Sequence, residues 1–76
     1  MTYKEARLLT IGTVVFDNTR KNADGTSHRW RVTGMCKVWK RYPGKFHIPI
    51  KRGMYEYYEI NELNHNMLSL QEENDG

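Results

Sequence analysis

Cysteine is almost absent: Cys36 is the only one in 76 residues. A single thiol forms no internal disulfide, so a reducing, cytoplasmic setting is expected. No apolar run approaches the ~20 residues needed to cross a bilayer. The first residues show no basic-then-apolar leader pattern. Neither membrane contact nor export is therefore expected. Zinc-ligand spacing is lacking, because His28, His47 and His65 are scattered and one cysteine makes no CxxC pair. Gly34, Gly44 and Gly53 are isolated, so no glycine-rich phosphate loop exists. Glu56 and Glu59 lie three apart on an expected strand, which turns them to opposite faces. No catalytic residue, metal or other cofactor is expected, and the chain reads as a non-enzyme.

What is present supports one small folded unit. At 76 residues the chain is about half a usual domain of ~150 residues, with 38% hydrophobic and 12% aromatic residues. That composition excludes an intrinsically disordered chain. Charge is segregated. Residues 20–53 hold ten basic side chains and one acid, Asp24, for a net +9. Residues 54–76 hold six acids and no Lys or Arg. A compact +9 segment repels itself, so either a polyanion or the acids of the same chain must offset it. If the acids sit beside the cations, the field cancels and the basic face is only solvated.

The pattern along the chain places elements. Thr2 and Glu5 fit a capping box, which predicts one or two helical turns that dock through Leu8 or Leu9. Residues 1–10 are an arm or short helix. Ile11–Phe16 reads as the first strand, and the polar run Asp17–Gly25 as a long loop. Thr26–Arg41 alternates with period two, with Trp30, Val32, Cys36 and Val38 inward and Arg29, Arg31, Lys37 and Arg41 outward. Gly34 marks a bend, a bulge or a break. If the register slips there, Trp39 turns inward. Tyr42-Pro43-Gly44-Lys45 predicts a type II turn. Phe46, Ile48 and Ile50 alternate next. Pro49 has no N–H to give, which predicts an edge strand or a position whose amide side faces solvent. Met54–Ile60 forms the next strand, with Tyr58 and Ile60 inward. A one-turn helix follows within residues 61–66, then a last strand over Met67–Leu70. Residues 71–76 are expected to form a disordered acidic tail.

This order of five short strands, a long first loop, tight turns and a 3₁₀ turn before the last strand resembles the SH3-like barrels, over residues 11–70. The resemblance implies an all-β, five-stranded barrel. An OB-fold is the rival, but it usually needs a longer chain and a further helix.

Basic and aromatic residues interleave on the expected outer face. Arg29, Arg31, Lys37, Arg41 and Lys45 are candidates to hold phosphates, and Trp39 and Tyr42 to stack on bases. Arg20 and Lys21, in the long loop, could wrap a phosphate backbone. If Trp39 is buried, only the phosphate part survives. The first expectation is a nucleic-acid-binding barrel with little base-specific readout, monomeric or weakly dimeric. The alternative is a protein-interaction module or inhibitor, of the kind a phage or plasmid encodes, using Tyr55 and Tyr57.

Overall fold

The computed structural model describes residues 1–73. It contains one short helix, α1 (Tyr3–Arg7), and six strands: β1 (Val14–Lys21), β2 (Ser27–Val32), β3 (Lys37–Val38), β4 (Phe46–Arg52), β5 (Glu56–Asn61) and β6 (Leu68–Ser69). A 3₁₀ turn, His65–Met67, precedes β6. All strand pairs are antiparallel. The sheet order is β3-β4-β2-β1-β6, and β5 pairs β4. Among the described residues β5 and β6 do not pair, so the sheet stays open. The all-β expectation holds; the sheet has six strands, and closure into a five-stranded barrel is not seen among the described residues.

The sixth strand arises at Gly34. Arg31 pairs Lys51, and Lys37 pairs His47, so six steps of one strand span four of the other. The excess of two is even. Lys37 therefore keeps the face of Arg31, and Trp39 does not turn inward. Pro49 lies opposite this break. Its carbonyl accepts the Thr33 N–H at 2.9 Å. In a strand, a residue's nitrogen and carbonyl point to the same side, so the missing Pro49 donor faces the gap between β2 and β3. A proline thus sits in a central strand without leaving a ladder bond unmade: the strand is not the edge that was one expectation, and the nitrogen side of residue 49 faces a break in the ladder, close to the other. Gly34 packs directly on it: a Cβ at 34 would lie 2.5 Å from Pro49 Cγ. Because the proline ring is stiff, Gly34→Ala is expected to lose about 1–3 kcal/mol through overpacking. Urea unfolding at unchanged slope would measure it.

The expected long loop is largely strand. Asp17 pairs His28, and pairing resumes at Lys21 with Ser27 after a bulge. Within the bulge, Asp17 Oδ1 accepts the Thr19 N–H at 3.0 Å. Asn18 Oδ1 accepts from the Ser27 hydroxyl and from the Glu73 N–H at 2.9 Å. The Ser27 N–H donates to Glu72 Oε1 at 3.1 Å. Residues 71–73, expected to begin a disordered tail, are thus tied to β1 and β2. Residues 74–76 of that tail lie outside the described residues. Asn22 closes the hairpin, its N–H donating to the Thr26 carbonyl at 2.7 Å.

The inner face gathers Val15, Trp30, Val32, Phe46, Ile48, Ile50, Ile60 and Leu68, all buried. Helix α1 seals one end. Ala6 and Leu9 are buried, Leu8 is exposed, and the Tyr3 ring meets Phe46 edge-on at 5.1 Å. Two inward expectations fail. Val38 and Tyr58 are each 53% exposed. Val38 sits on a two-residue strand at the end of the sheet. Tyr58 leans on Trp30 with ring centroids 5.9 Å apart, at the open margin.

The capping box forms as expected. Thr2 Oγ1 accepts the Glu5 N–H at 3.1 Å, and Glu5 Oε1 accepts the Thr2 N–H at 3.0 Å. The Thr2 N–H holds the Glu5 carboxyl below its ordinary value. A lowered folded-state value gives stability above the ordinary carboxylate range that is lost as pH falls through it. Glu5→Gln is therefore expected to flatten the acid limb of a plot of Tm against pH.

No helix among the described residues is long and apolar enough to cross a membrane.

Candidate binding surface

Alternation sends every second side chain to the outer face of the sheet. Val14 pairs Arg31, Arg31 pairs Lys51, and Lys51 pairs Tyr57, so these four form one row across β1, β2, β4 and β5. Arg29 lies in the next row, opposite Phe16. The Lys51 ammonium sits 5.3 Å from the centre of the Tyr57 ring. Arg29, Arg31, Thr33, Lys51 and Arg52 line an open groove of about 440 Å³. Along β4, His47, Pro49 and Lys51 share this face, and Lys37 stands opposite His47. The face is thus a track from Arg29 and Arg31, beside Lys51, to Lys37 beside His47. Its β4 portion, from Lys51 to His47, is about 13 Å long at ~3.3 Å per residue.

One acid stands on this face, Glu59 opposite Pro49, and it reaches His47 but none of the Lys or Arg side chains of the track. Among the described residues, ion pairs within 4.0 Å join Arg20 to Asp17, His47 to Glu59, and Arg52 to Glu56. Arg29, Arg31, Lys37 and Lys51 take part in none of them. Several carboxylates are held by backbone donors: Glu62 accepts from Phe46 N, Glu72 from Ser27 N, and Glu5 from Thr2 N. Directly opposed like charges, as at Arg31 and Lys51, weaken a sheet by a few tenths of a kcal/mol to about 1 kcal/mol.

A second cluster stands at the β3–β4 connection. Two tight turns follow each other: Tyr42 N–H donates to the Trp39 carbonyl at 3.2 Å, and Lys45 N–H to the Tyr42 carbonyl at 3.0 Å. Gly44 has φ +90°, as the third position of a type II turn requires. Trp39 is 43% exposed, with its ring edge-on to His47 at 5.2 Å. Tyr42, Lys45, Phe46 and Glu62 line a groove of about 280 Å³ together with Trp39. Tyr3, Arg7, Lys40 and Pro43 line another of about 290 Å³. Lys45 Nζ lies 5.2 Å over the Tyr42 ring, and the Arg7 guanidinium 5.4 Å over Tyr3.

The expected residues therefore divide. Arg29, Arg31 and Lys37 share the outer face, while Trp39, Tyr42 and Lys45 gather at its end. Arg41 is exposed in the connecting turn but lines neither groove beside Trp39. Arg20 and Lys21 belong to neither cluster. They lie in β1 rather than in a wrapping loop, because the bulge carries the ladder past them. Lys21 Nζ donates to the Ser27 hydroxyl at 3.0 Å and to the Glu73 carbonyl. Arg20 pairs Asp17 at 3.6 Å and borders a groove with Tyr55, Glu56, Tyr57 and Tyr58.

Sequence reading missed Lys51 and Arg52 on the sheet face and Tyr3, Arg7 and Lys40 beside Trp39. Lys51 continues the odd-numbered alternation of Lys45, His47 and Pro49, and reading that pattern one step further finds it. Tyr3 and Arg7 arrive through helix docking, for which the sequence carries no local signal. Searches against family models, curated proteins and solved structures find no match to this chain.

Proposed function

We propose that this chain is a small, partly open SH3-like barrel that binds nucleic acid, mostly through phosphates and with limited sequence readout. The short antiparallel strands and the 3₁₀ turn before the last one support the fold. The function rests on one observation: Arg31 and Lys51 stand opposite each other, beside Arg29, with no carboxylate within 4.0 Å among the described residues. Two like charges held together at a cost to the sheet suit a polyanion that neutralises both. Trp39 and Tyr42 add aromatic surface at the end of the track. A gel shift at low salt tests the reading: retardation of DNA or RNA supports it, and its absence with every strand type ends it.

A second reading, a protein-interaction module, draws on the β5 margin, where Met54, Tyr55, Tyr57 and Tyr58 are all exposed. Capture of a protein that persists after nuclease treatment and at high salt would favour it.

A further inference from the structure

We infer that the nucleic acid bound here is single-stranded, with an unpaired base stacked on Trp39. The inference rests on the nucleic-acid reading and adds the strand state. In a duplex each base has its two faces covered by neighbouring bases, and a side chain reaches only base edges in the grooves. A flat ring offered as a platform gains contact only from a base that has left the stack.

Trp39 is placed for that role. It is held rather than buried: its carbonyl accepts the Tyr42 N–H at 3.2 Å, and its ring meets His47 edge-on at 5.2 Å. At 43% exposure it keeps much of its surface open. Trp39 lines two grooves, and each carries an aromatic ring and a cation: Tyr42 with Lys45, where Glu62 also stands with its carboxylate on the Phe46 N–H, and Tyr3 with Arg7, Lys40 and again Lys45. These cations line the same grooves as Trp39, so they supply positive charge beside a base stacked on it. His47, the support of Trp39, shares the outer face with Lys51, so a strand anchored at Trp39 continues along Lys37 toward Arg31 and Lys51. The ~13 Å from His47 to Lys51 corresponds to about four nucleotides of a stacked strand at 3.4 Å each.

The test uses fluorescence anisotropy at low salt with four labelled probes: a 12-nucleotide oligothymidylate, a 12-nucleotide oligouridylate, a 12-base-pair duplex, and a 12-unit abasic phosphodiester strand. Wild type is expected to bind at least one base-bearing single strand about 5- to 150-fold more tightly than the abasic strand, the range for stacking one base. It should also prefer that strand to the duplex. Trp39→Ala is expected to lower its affinity to the abasic level while leaving abasic binding unchanged, and Trp39→Phe to retain most of the preference. Equal binding of the abasic strand by wild type, preference for the duplex, or an oligonucleotide affinity untouched by Trp39→Ala would overturn the inference and leave the phosphate reading standing. If no probe binds, abasic strand included, the phosphate reading fails as well. The abasic comparison needs only the wild-type protein, so a poorly folding variant does not block it.

Discussion

Arg31→Glu is expected to make the protein more stable and a worse binder. The substitution turns an opposed like-charge pair, Arg31 and Lys51, into an opposite-charge pair on adjacent strands. Such pairs contribute roughly 0.2–1 kcal/mol, and solvent screening puts this exposed one toward the lower end. Binding should move the other way. One phosphate contact is lost and a repelling carboxylate takes its place, so affinity at about 50 mM salt should drop more than about tenfold. The slope of log affinity against log salt should shrink by about 1. A thermal melt and a binding isotherm on the same variant check both halves. A residue whose cation serves only the fold would lose stability on reversal, so the opposite signs separate a binding role from a structural one. Glu56→Gln, which frees Arg52 from its 2.6 Å partner, should leave binding unchanged or slightly tighter.

Phe46→Ala is expected to have the largest effect on stability. Phe46 is 1% exposed at the start of β4, with Tyr3 edge-on at 5.1 Å and His65 at 6.0 Å. Its ring joins the helix, the 3₁₀ turn and the sheet, so no single neighbour can move in to fill the space. Truncations of this kind cost about 3–5 kcal/mol. At ~0.05–0.15 kcal/mol per residue, a chain of this length has only about 4–11 kcal/mol in total. The variant should therefore unfold at, or close to, room temperature, whereas Phe46→Leu should stay folded with a lower midpoint. Circular dichroism across a urea series measures both. Because Phe46 also lines the groove beside Trp39, Phe46→Leu reports whether that groove depends on the ring for its shape.

The sequence revealed what local chemistry decides. Thr2 and Glu5 satisfy each other's backbone donors, and Pro43-Gly44 matches the dihedral demands of its turn, whatever the rest of the chain does. Alternation from Ser27 to Val32 set Trp30 and Val32 inward and Arg29 and Arg31 outward, because a half-buried strand allows no other pattern. What the sequence hid was decided by partners distant along the chain. Residues 17–21 are polar enough to read as a loop, yet they pair with β2 and are held by Asn18 bonding to Ser27 and Glu73. Pro49 argued for an edge, but its missing donor faces the break at Gly34, a coincidence of two strands that neither shows alone. Val38 follows the inward alternation, yet among the described residues no element buries it. Within the candidate surface, Arg29, Arg31 and Lys37 were legible as one face, while Lys51 lay one step past the alternating residues Phe46 to Ile50 and was not singled out. Tyr3 and Arg7 reach the surface only because α1 docks at the β3–β4 end.

The central claim is that unpaired cations on the outer sheet face hold a chain of phosphates, and the salt dependence of wild-type affinity tests it most directly. Three to four phosphate contacts predict a slope of about −2 to −4 in log affinity against log salt, or roughly 60-fold weaker binding between 50 and 200 mM at the middle of that range. A flat dependence over the same range, or no measurable binding at the lowest salt, would contradict the account.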